Sequence, residues 1–300
     1  MVLKHDLPKD LKEPVRLAVV GGSGLYEIPG METVGEFRVP TPFGPTSDVI
    51  TVGLLGGVPC AFLPRHGKGH RLLPGEVPFR ANVYALKSLG VQRIIAIGAV
   101  GSLREELVPR HFVIPDQVFD RTKNRPSTFF GDGVVAHVGV AQPFCPLLAD
   151  VLYRGAQSLN IPVHRGGTYV CIEGPSFSTK AESRVNQSHG FSVVGMTVVP
   201  EYKLAREAEI CYQTVSLVTD YDVWKDDDEV SAAKVVETIH ANVDNVKKLI
   251  STVLPQCVGP RSCSCGSALS SAVFTKEDAI PRDTRLKLDL LLRKYLSPLL

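Results

Sequence analysis

The run Arg93-Ile94-Ile95-Ala96-Ile97, followed at once by Gly98, decides the fold. After its first residue it is apolar without alternation, and it is too short for a helix. A strand apolar on both sides is covered on both sides, the condition of a parallel sheet between two layers of helices. Upstream, Arg16-Leu17-Ala18-Val19-Val20 has the same grammar and stops at Gly21-Gly22-Ser23-Gly24. Residues 49–53 and 58–63 flank Gly56-Gly57 and predict a hairpin. Further strands are predicted at 112–115, 168–172, 192–194 and 211–218. Between them, Phe79, Val83, Leu86 and Leu89 recur at helical spacing ahead of Gly90. Other helices are predicted near 146–159, 179–188, 199–209 and 231–252, the last with an apolar stripe through Val235, Ile239, Val243, Val246 and Ile250. This alternation predicts an α/β fold, a central mixed sheet flanked by helices.

The chain has 300 residues, enough for one large domain or two. No internal repeat or linker interrupts it before residue 255. The expected organisation is a tail over 1–14, one catalytic domain over 15–255 and a C-terminal segment over 256–300. That segment carries Cys263-Ser264-Cys265 and a predicted helix at 285–296, bracketed by Pro281 and Pro298. Hydrophobic residues at 44% and charged residues at 21% are ordinary for a globular protein. A formal charge of +2, with no basic stripe, argues against nucleic acid as a partner. No apolar run approaches the ~20 residues of a membrane span. Residues 1–14 are charged and lack the apolar centre of a signal peptide, so the cytoplasm is the expected location.

Several segments could carry chemistry. Gly21-Gly22-Ser23-Gly24 follows a strand, where backbone N–H groups can face a phosphate; a tight turn explains it equally well. Glu27 stands where a dinucleotide fingerprint needs glycine. Pro64-Arg65-His66-Gly67-Lys68-Gly69-His70 ends a strand with a guanidinium fork and an imidazole, a donor set for one anion or else a solvated basic loop. His66 and His70 lack a third ligand at metal spacing, so no metal is expected there. Thr197 precedes a helix whose first turn holds Pro200 and Glu201; it can contact an anion or cap the helix. Asp220 and Asp222 close an apolar strand, and alternation places them on one side of an extended chain. Such a pair can hold a proton at neutral pH, or it can simply form a turn. Seven scattered cysteines do not form a secreted disulfide framework; Cys60, Cys171 and Cys211 lie in apolar runs and read as core.

Taken in order, VVGGSGLY (19–26), TPFGPTSD (41–48), LPRHGKGH (63–70), GSLREE (101–106), DRTKNRPSTFF (120–130), IEGPSFSTKAES (172–183), GMTVVPE (195–201), AREAEICY (205–212) and TDYDVW (219–224) resemble the 5′-methylthioadenosine phosphorylases of the trimeric purine nucleoside phosphorylase family. The resemblance covers roughly residues 15–254. It implies phosphorolysis of 5′-methylthioadenosine to adenine and 5-methylthioribose 1-phosphate, a salvage reaction with inorganic phosphate as co-substrate and no metal or organic cofactor. It also implies a homotrimer or a dimer of trimers.

Carried onto this sequence, the family's phosphate site would comprise Ser23, Arg65, His66, Ala99 and Thr197. Ribose would lie on Met196, and adenine near Phe177 and Ile172, with Asp220 and Asp222 at its N7 and 6-amino edge. His137, Val235 and Val236 would receive the 5′-methylthio group. Gly98 departs from the pattern, because relatives commonly place Ser or Thr there. Cys263-Ser264-Cys265 resembles a motif in the tails of heat-stable archaeal members. It would be a pair of free thiols, a disulfide within the pair, or a bridge to Cys257 or another subunit. The nearest alternative is a broader purine nucleoside phosphorylase acting on adenosine or 6-oxopurine nucleosides. An Asn at position 220 would favour 6-oxopurines, and Asp220 speaks against them. A catalytically silent nucleoside-binding protein is a further alternative, separable by phosphate dependence.

Overall fold

A computed structural model of the chain describes residues 14–22, 30–225 and 232–298, the side chains of 232–235 and 239 excepted. Ser23 and most of the predicted N-terminal tail lie outside the described residues. The chain begins with β1 (Leu17–Gly21), β2 (Met31–Phe37), β3 (Ile50–Leu55), β4 (Val58–Pro64), α1 (Phe79–Ser88) and β5 (Arg93–Ser102). It continues through β6 (Phe112–Ile114), β7 (Gln117–Arg121), α2 (Pro146–Ser158), β8 (Val163–Arg165), β9 (Thr168–Ile172) and α3 (Lys180–Ser188). Last come β10 (Val193–Gly195), α4 (Val198–Glu207), β11 (Cys211–Asp220), α5 (Ala232–Val253) and α6 (Arg282–Leu292).

These strands form one mixed sheet in the order β2-β3-β4-β1-β5-β10-β9-β7, with β11, β6 and β8 branching from β5. The decisive 93–97 run lies in β5, parallel to both β1 and β11. Its burial on both faces follows from the helices. One apolar cluster joins the sheet to α1, α4 and α6 through Val83, Leu86, Leu204, Leu288, Leu291 and Leu292. The opposite cluster joins it to α2 and α5 through Leu148, Leu152, Val246, Leu249 and Ile250. The predicted fold class is therefore the observed one.

Three differences from the expected elements have simple causes. Strands β2, β7 and β8 were not anticipated, because they are short, partly exposed and lack a continuous apolar run. The 99–102 stretch, small residues suited equally to a ligand wall or to a strand exit, continues β5; pairing with β1 ends at Ala96, and Gly101 and Ser102 pair antiparallel with β10 while Gly101 stays paired to β11. The terminal helix starts at Arg282 and ends at Leu292, earlier than expected at both ends. The hairpin is as predicted: Gly56 and Gly57 both take positive φ (58° and 77°), the conformation a two-residue turn matched to strand twist requires.

Residues 256–298 fold back onto the core. Leu288, Leu291 and Leu292 of α6 are each no more than 4% exposed. Burying one Leu contributes about 1.5–3 kcal/mol, so deleting residues 282–300 should cost on the order of 5 kcal/mol. The expected outcome is a clearly lower melting temperature or aggregation on purification. A truncated chain that melts with the parent would contradict this packing.

Candidate active site

Parallel strands β1, β4, β5 and β11 end on the same side of the sheet, and a cavity of about 610 Å³ opens there. This is where open parallel sheets place ligands, since neighbouring strand ends leave a crevice between their following loops. Arg65 and His66 follow β4, while Gly98 to Gly101 bring the end of β5 to the cavity wall. Thr219 and Asp220 close β11. Met196 and Thr197 enter from the β10–α4 junction, Ile172 from the end of β9, Phe177 from the loop after it, and Val236 and His240 from α5.

Arg65 is 2% exposed, and its fork does not point at an open anion site. Its Nε and Nη2 each donate at 2.9 Å to the two carboxylate oxygens of Glu201. Nη2 also donates to the Val20 carbonyl (3.3 Å), and Nη1 to the Ile97 carbonyl (2.9 Å). The Tyr212 hydroxyl donates to Glu201 at 2.8 Å. Of the guanidinium's five N–H donors, one on Nη1 is left for a ligand. The expectation of a bidentate fork on phosphate is thereby corrected: the bidentate partner is Glu201. An Arg65→Ala change strands a buried carboxylate, so instability would accompany any loss of phosphate affinity.

His66 also differs from expectation. Its Nδ1 lies 2.9 Å from the Leu72 carbonyl, which can only accept, so Nδ1 carries the hydrogen. Burial, and then the Arg65 charge, pushes its pKa down to about 4. The neutral ring therefore offers Nε2 as an acceptor, not as the second donor the sequence suggested. It stacks on His70 with centroids 4.4 Å apart.

Thr197 stands at the N-terminus of α4 without capping it by its side chain; it lines the cavity, and its hydroxyl also interacts with Tyr169. A Cβ added to Gly98 would sit 3.5 Å from Thr197 Oγ1, an ordinary contact, so a hydroxyl-bearing residue would fit there. Gly195, in contrast, has no room: a Cβ would lie 1.9 Å from the Tyr169 hydroxyl. Arg125, whose part sequence reasoning missed, fixes this junction. It pairs with Glu173 at 2.9 Å and donates to the carbonyls of Met196 (2.7 Å), Val199 (2.6 Å) and Glu173 (2.6 Å). Those carbonyls are available because Val199 is extended (φ −101°, ψ 130°) and interrupts α4.

Both carboxyl groups reach the cavity, though not by strand alternation. Asp220 ends β11, and Asp222 lies in a turn at φ +53°. The Asp222 backbone N–H donates to Asp220 Oδ1 at 2.8 Å, and the Thr219 hydroxyl donates to Oδ2 at 2.7 Å. The turn is a self-capped Asp turn, as the turn reading has it, and both of its acidic residues line the cavity. Asp222 is 4% exposed, and burial raises its pKa. The Ser178 and Ser183 hydroxyls oppose that shift, yet Oδ2 closes no hydrogen bond. Trp224 holds the turn by donating from its indole to the Ser102 carbonyl at 2.8 Å.

The remaining expectations divide. Ala99, Met196, Ile172, Phe177 and Val236 line the cavity. Val235 lies in α5, its side chain outside the described set. His137 is exposed and packs edge-on against Phe274 at 5.0 Å, away from the cavity lining. It is not part of the site within its own chain. His240, Val243 and Val246 line the wall and were read only as a helix stripe or passed over.

The cysteines take one of the expected alternatives. All seven are free thiols, and Cys263 meets Cys211 at 3.3 Å, not Cys257. The sulfurs of Cys145, Cys211, Cys263 and Cys265 lie within 4.8 Å of one another. The sequence reading weighed a metal only at His66 and His70, and this gathering of thiols lies elsewhere, among segments that folding alone brings together.

Comparison with known proteins gives the family. Residues 16–255 match the Phosphorylase superfamily, and the chain belongs to it. An S-methyl-5′-thioadenosine phosphorylase of Geobacter sulfurreducens is 53% identical, covering 93% of this chain and 98% of that protein. Its namesake from Koribacter versatilis is 51% identical, covering 93% and 96%. A methylthioadenosine phosphorylase from an antarctic soil metagenomic library superposes with a TM-score of 0.89 at 46% identity, over 94% of this chain and all of that one. An adenosine/methylthioadenosine phosphorylase variant from Schistosoma mansoni, solved with methylthioadenosine, gives 0.82 at 36% identity over 89% and 100%.

The neutral state of His66 gives a pH prediction. Its folded pKa lies below the ordinary 6.5, so its contribution to stability is complete above about 6.5 and is lost as pH falls toward about 4. Denaturant midpoints should drop over that window more steeply for the parent than for His66→Gln. Parallel pH profiles would show that the imidazole does not become buried in the neutral form.

Proposed function

We propose that the chain cleaves 5′-methylthioadenosine with inorganic phosphate, giving adenine and 5-methylthioribose 1-phosphate. The observation that carries this reading is one cavity lined together by Arg65, His66 and Thr197, by the acids Asp220 and Asp222, and by apolar residues such as Ile172 and Val236. Phosphate is assigned to Thr197, Ala99, the remaining Arg65 N–H and, from the sequence motif, Ser23 after Gly22. His66 Nε2 would accept from a protonated phosphate oxygen. Holding phosphate beneath C1′ makes its attack a matter of position, which is worth several orders of magnitude in effective molarity. As the glycosidic bond lengthens, the sugar gains positive charge, which the phosphate dianion stabilises.

The departing purine needs a proton at N7. The two acids at the end of β11 are assigned to supply it, since a buried carboxyl in such a site can hold a proton at neutral pH. Asp220, aimed by Thr219 and the Asp222 amide, is the group assigned to N7 and the 6-amino edge. Ribose would rest on Met196 and the base between Phe177 and Ile172. The apolar wall carrying Val236, with Val235 on the same helix, suits a methylthio group better than a hydroxyl. Phosphate is the nucleophile, so the proposed reaction needs no organic cofactor or catalytic metal.

The reading includes a homo-oligomer, a trimer or a dimer of trimers. His137 and Phe274, the latter 69% exposed, form with Val135 an apolar surface suited to a second copy. His137 could complete a neighbour's cavity from there. Cytoplasmic location accompanies the reading; among the described residues no helix is long and apolar enough to cross a membrane.

The test is a product assay with 5′-methylthioadenosine, adenosine and inosine, each with and without phosphate. Adenine and a sugar phosphate should form from the first only when phosphate is present. Inosine should be slower by roughly 10⁴, because an ionised carboxylate faces O6 with acceptor against acceptor. Asp220→Asn should cut kcat strongly on methylthioadenosine and lose less on inosine, since an amide can donate to O6. Equal kcat/KM for inosine and methylthioadenosine in the parent would transfer the reading to a broad purine nucleoside phosphorylase.

A further inference from the structure

Away from the cavity, three separate parts of the chain bring four thiols to one point. Cys145 precedes α2 and is tied to β11 by its backbone N–H, which donates to the Tyr212 carbonyl at 2.9 Å. Cys211 is the first residue of β11. Cys263 and Cys265 belong to the C-terminal segment, at a short turn over Ser264–Ser267. All four sulfurs lie within 4.8 Å of one another, three of the residues are buried, and the fourth is half-buried. A tetrahedral zinc ion with ~2.3 Å bonds to sulfur sets neighbouring sulfurs ~3.8 Å apart, so the cluster is close to that cage without any metal. Two disulfides would need only two close pairs; here every sulfur is near the other three.

The surroundings suit thiolates. Cys145 occupies the N-cap position of a 13-residue helix, where unpaired backbone N–H groups and the helix dipole favour negative charge. The Arg206 guanidinium donates toward Cys265 Sγ at 3.9 Å. A groove of about 250 Å³, between Gln142 and Leu147 on one side and Ser262 and Cys265 on the other, gives an ion a route from solvent.

We propose that Cys145, Cys211, Cys263 and Cys265 form a tetrathiolate zinc site that pins the C-terminal segment to the sheet. Zinc replaces the four thiol protons, which pass to solvent, and no electron is transferred. The resulting doubly negative centre is balanced in part by Arg206 and the α2 N-terminus. A four-sulfur site leaves no open coordination position, so its role is structural: metal affinity is added to folding stability, and chelation removes it.

The experiment uses the full chain expressed with zinc and purified under reducing conditions. Elemental analysis should give about one zinc per chain, falling to near zero in Cys263→Ser/Cys265→Ser. That variant should keep phosphorolysis at low temperature and melt earlier than the parent. Should it fail to fold, the parent alone decides. With metal bound, four thiols should resist alkylation until a chelator is added, and cobalt exchange should give the charge-transfer bands of a tetrathiolate. A metal-free parent overturns the proposal, whether its mass shows two hydrogens lost per disulfide or all seven thiols alkylate at once. Zinc retained in full by the double variant also overturns it.

Discussion

The buried pair between Arg65 and Glu201 is the constraint on which the site depends. Five elements meet there. Arg65 follows β4 and reaches carbonyls of β1 and β5, Glu201 belongs to α4, and Tyr212 of β11 completes the carboxylate's hydrogen bonds. An ion pair this deep is not in itself a large source of stability, because desolvation offsets most of the attraction. Removing one partner is another matter: an unpaired buried charge costs about 3–5 kcal/mol. The pair thus fixes where α4 begins relative to the strand ends, and with it the position of Thr197 and Met196. Arg125 does the same from the other side, through the carbonyls that the interruption at Val199 leaves open.

The topology explains why those residues face one cavity. Strand β5 serves two neighbourhoods, pairing with β1 and β11 along its length and then with β10 at its end. At that divergence the sheet opens, and small residues from Gly98 to Gly101 leave room for a ligand. Asp220 and Asp222 line the same opening, and burial opposes ionisation of Asp222. Charge and a protonatable carboxyl lining one opening are what phosphate attack with purine departure calls for.

Much of this was legible in the sequence where the signal is local. The unbroken apolar runs at 17–20 and 93–97 can only be strands covered twice, and Gly56-Gly57 can only be a turn between such strands. Arg65, His66, Thr197 and Asp220 were identifiable because strand ends and helix starts are recognisable. What was not legible depends on distant partners. Nothing near Arg65 announces Glu201, 136 residues away, so the fork was assigned to a ligand. His66 loses its donor role to a carbonyl six residues on, a bond set by the loop's path and not by its composition. The four cysteines have no metal-like spacing, since their elements are joined only by folding. His137 was assigned to the site from resemblance, and the fold holds it at the surface against Phe274, outside its own chain's cavity.

The central claim is that phosphate binds in a cavity already held open by the Arg65–Glu201 pair. A crystal structure with phosphate and a non-hydrolysable methylthioadenosine analogue tests it most directly. The account predicts phosphate beside Thr197 and Ala99, one Arg65 Nη1 hydrogen directed at it, and both Glu201 contacts intact. Phosphate lying elsewhere, or an Arg65 fork that has left Glu201 to grip the anion, would contradict it.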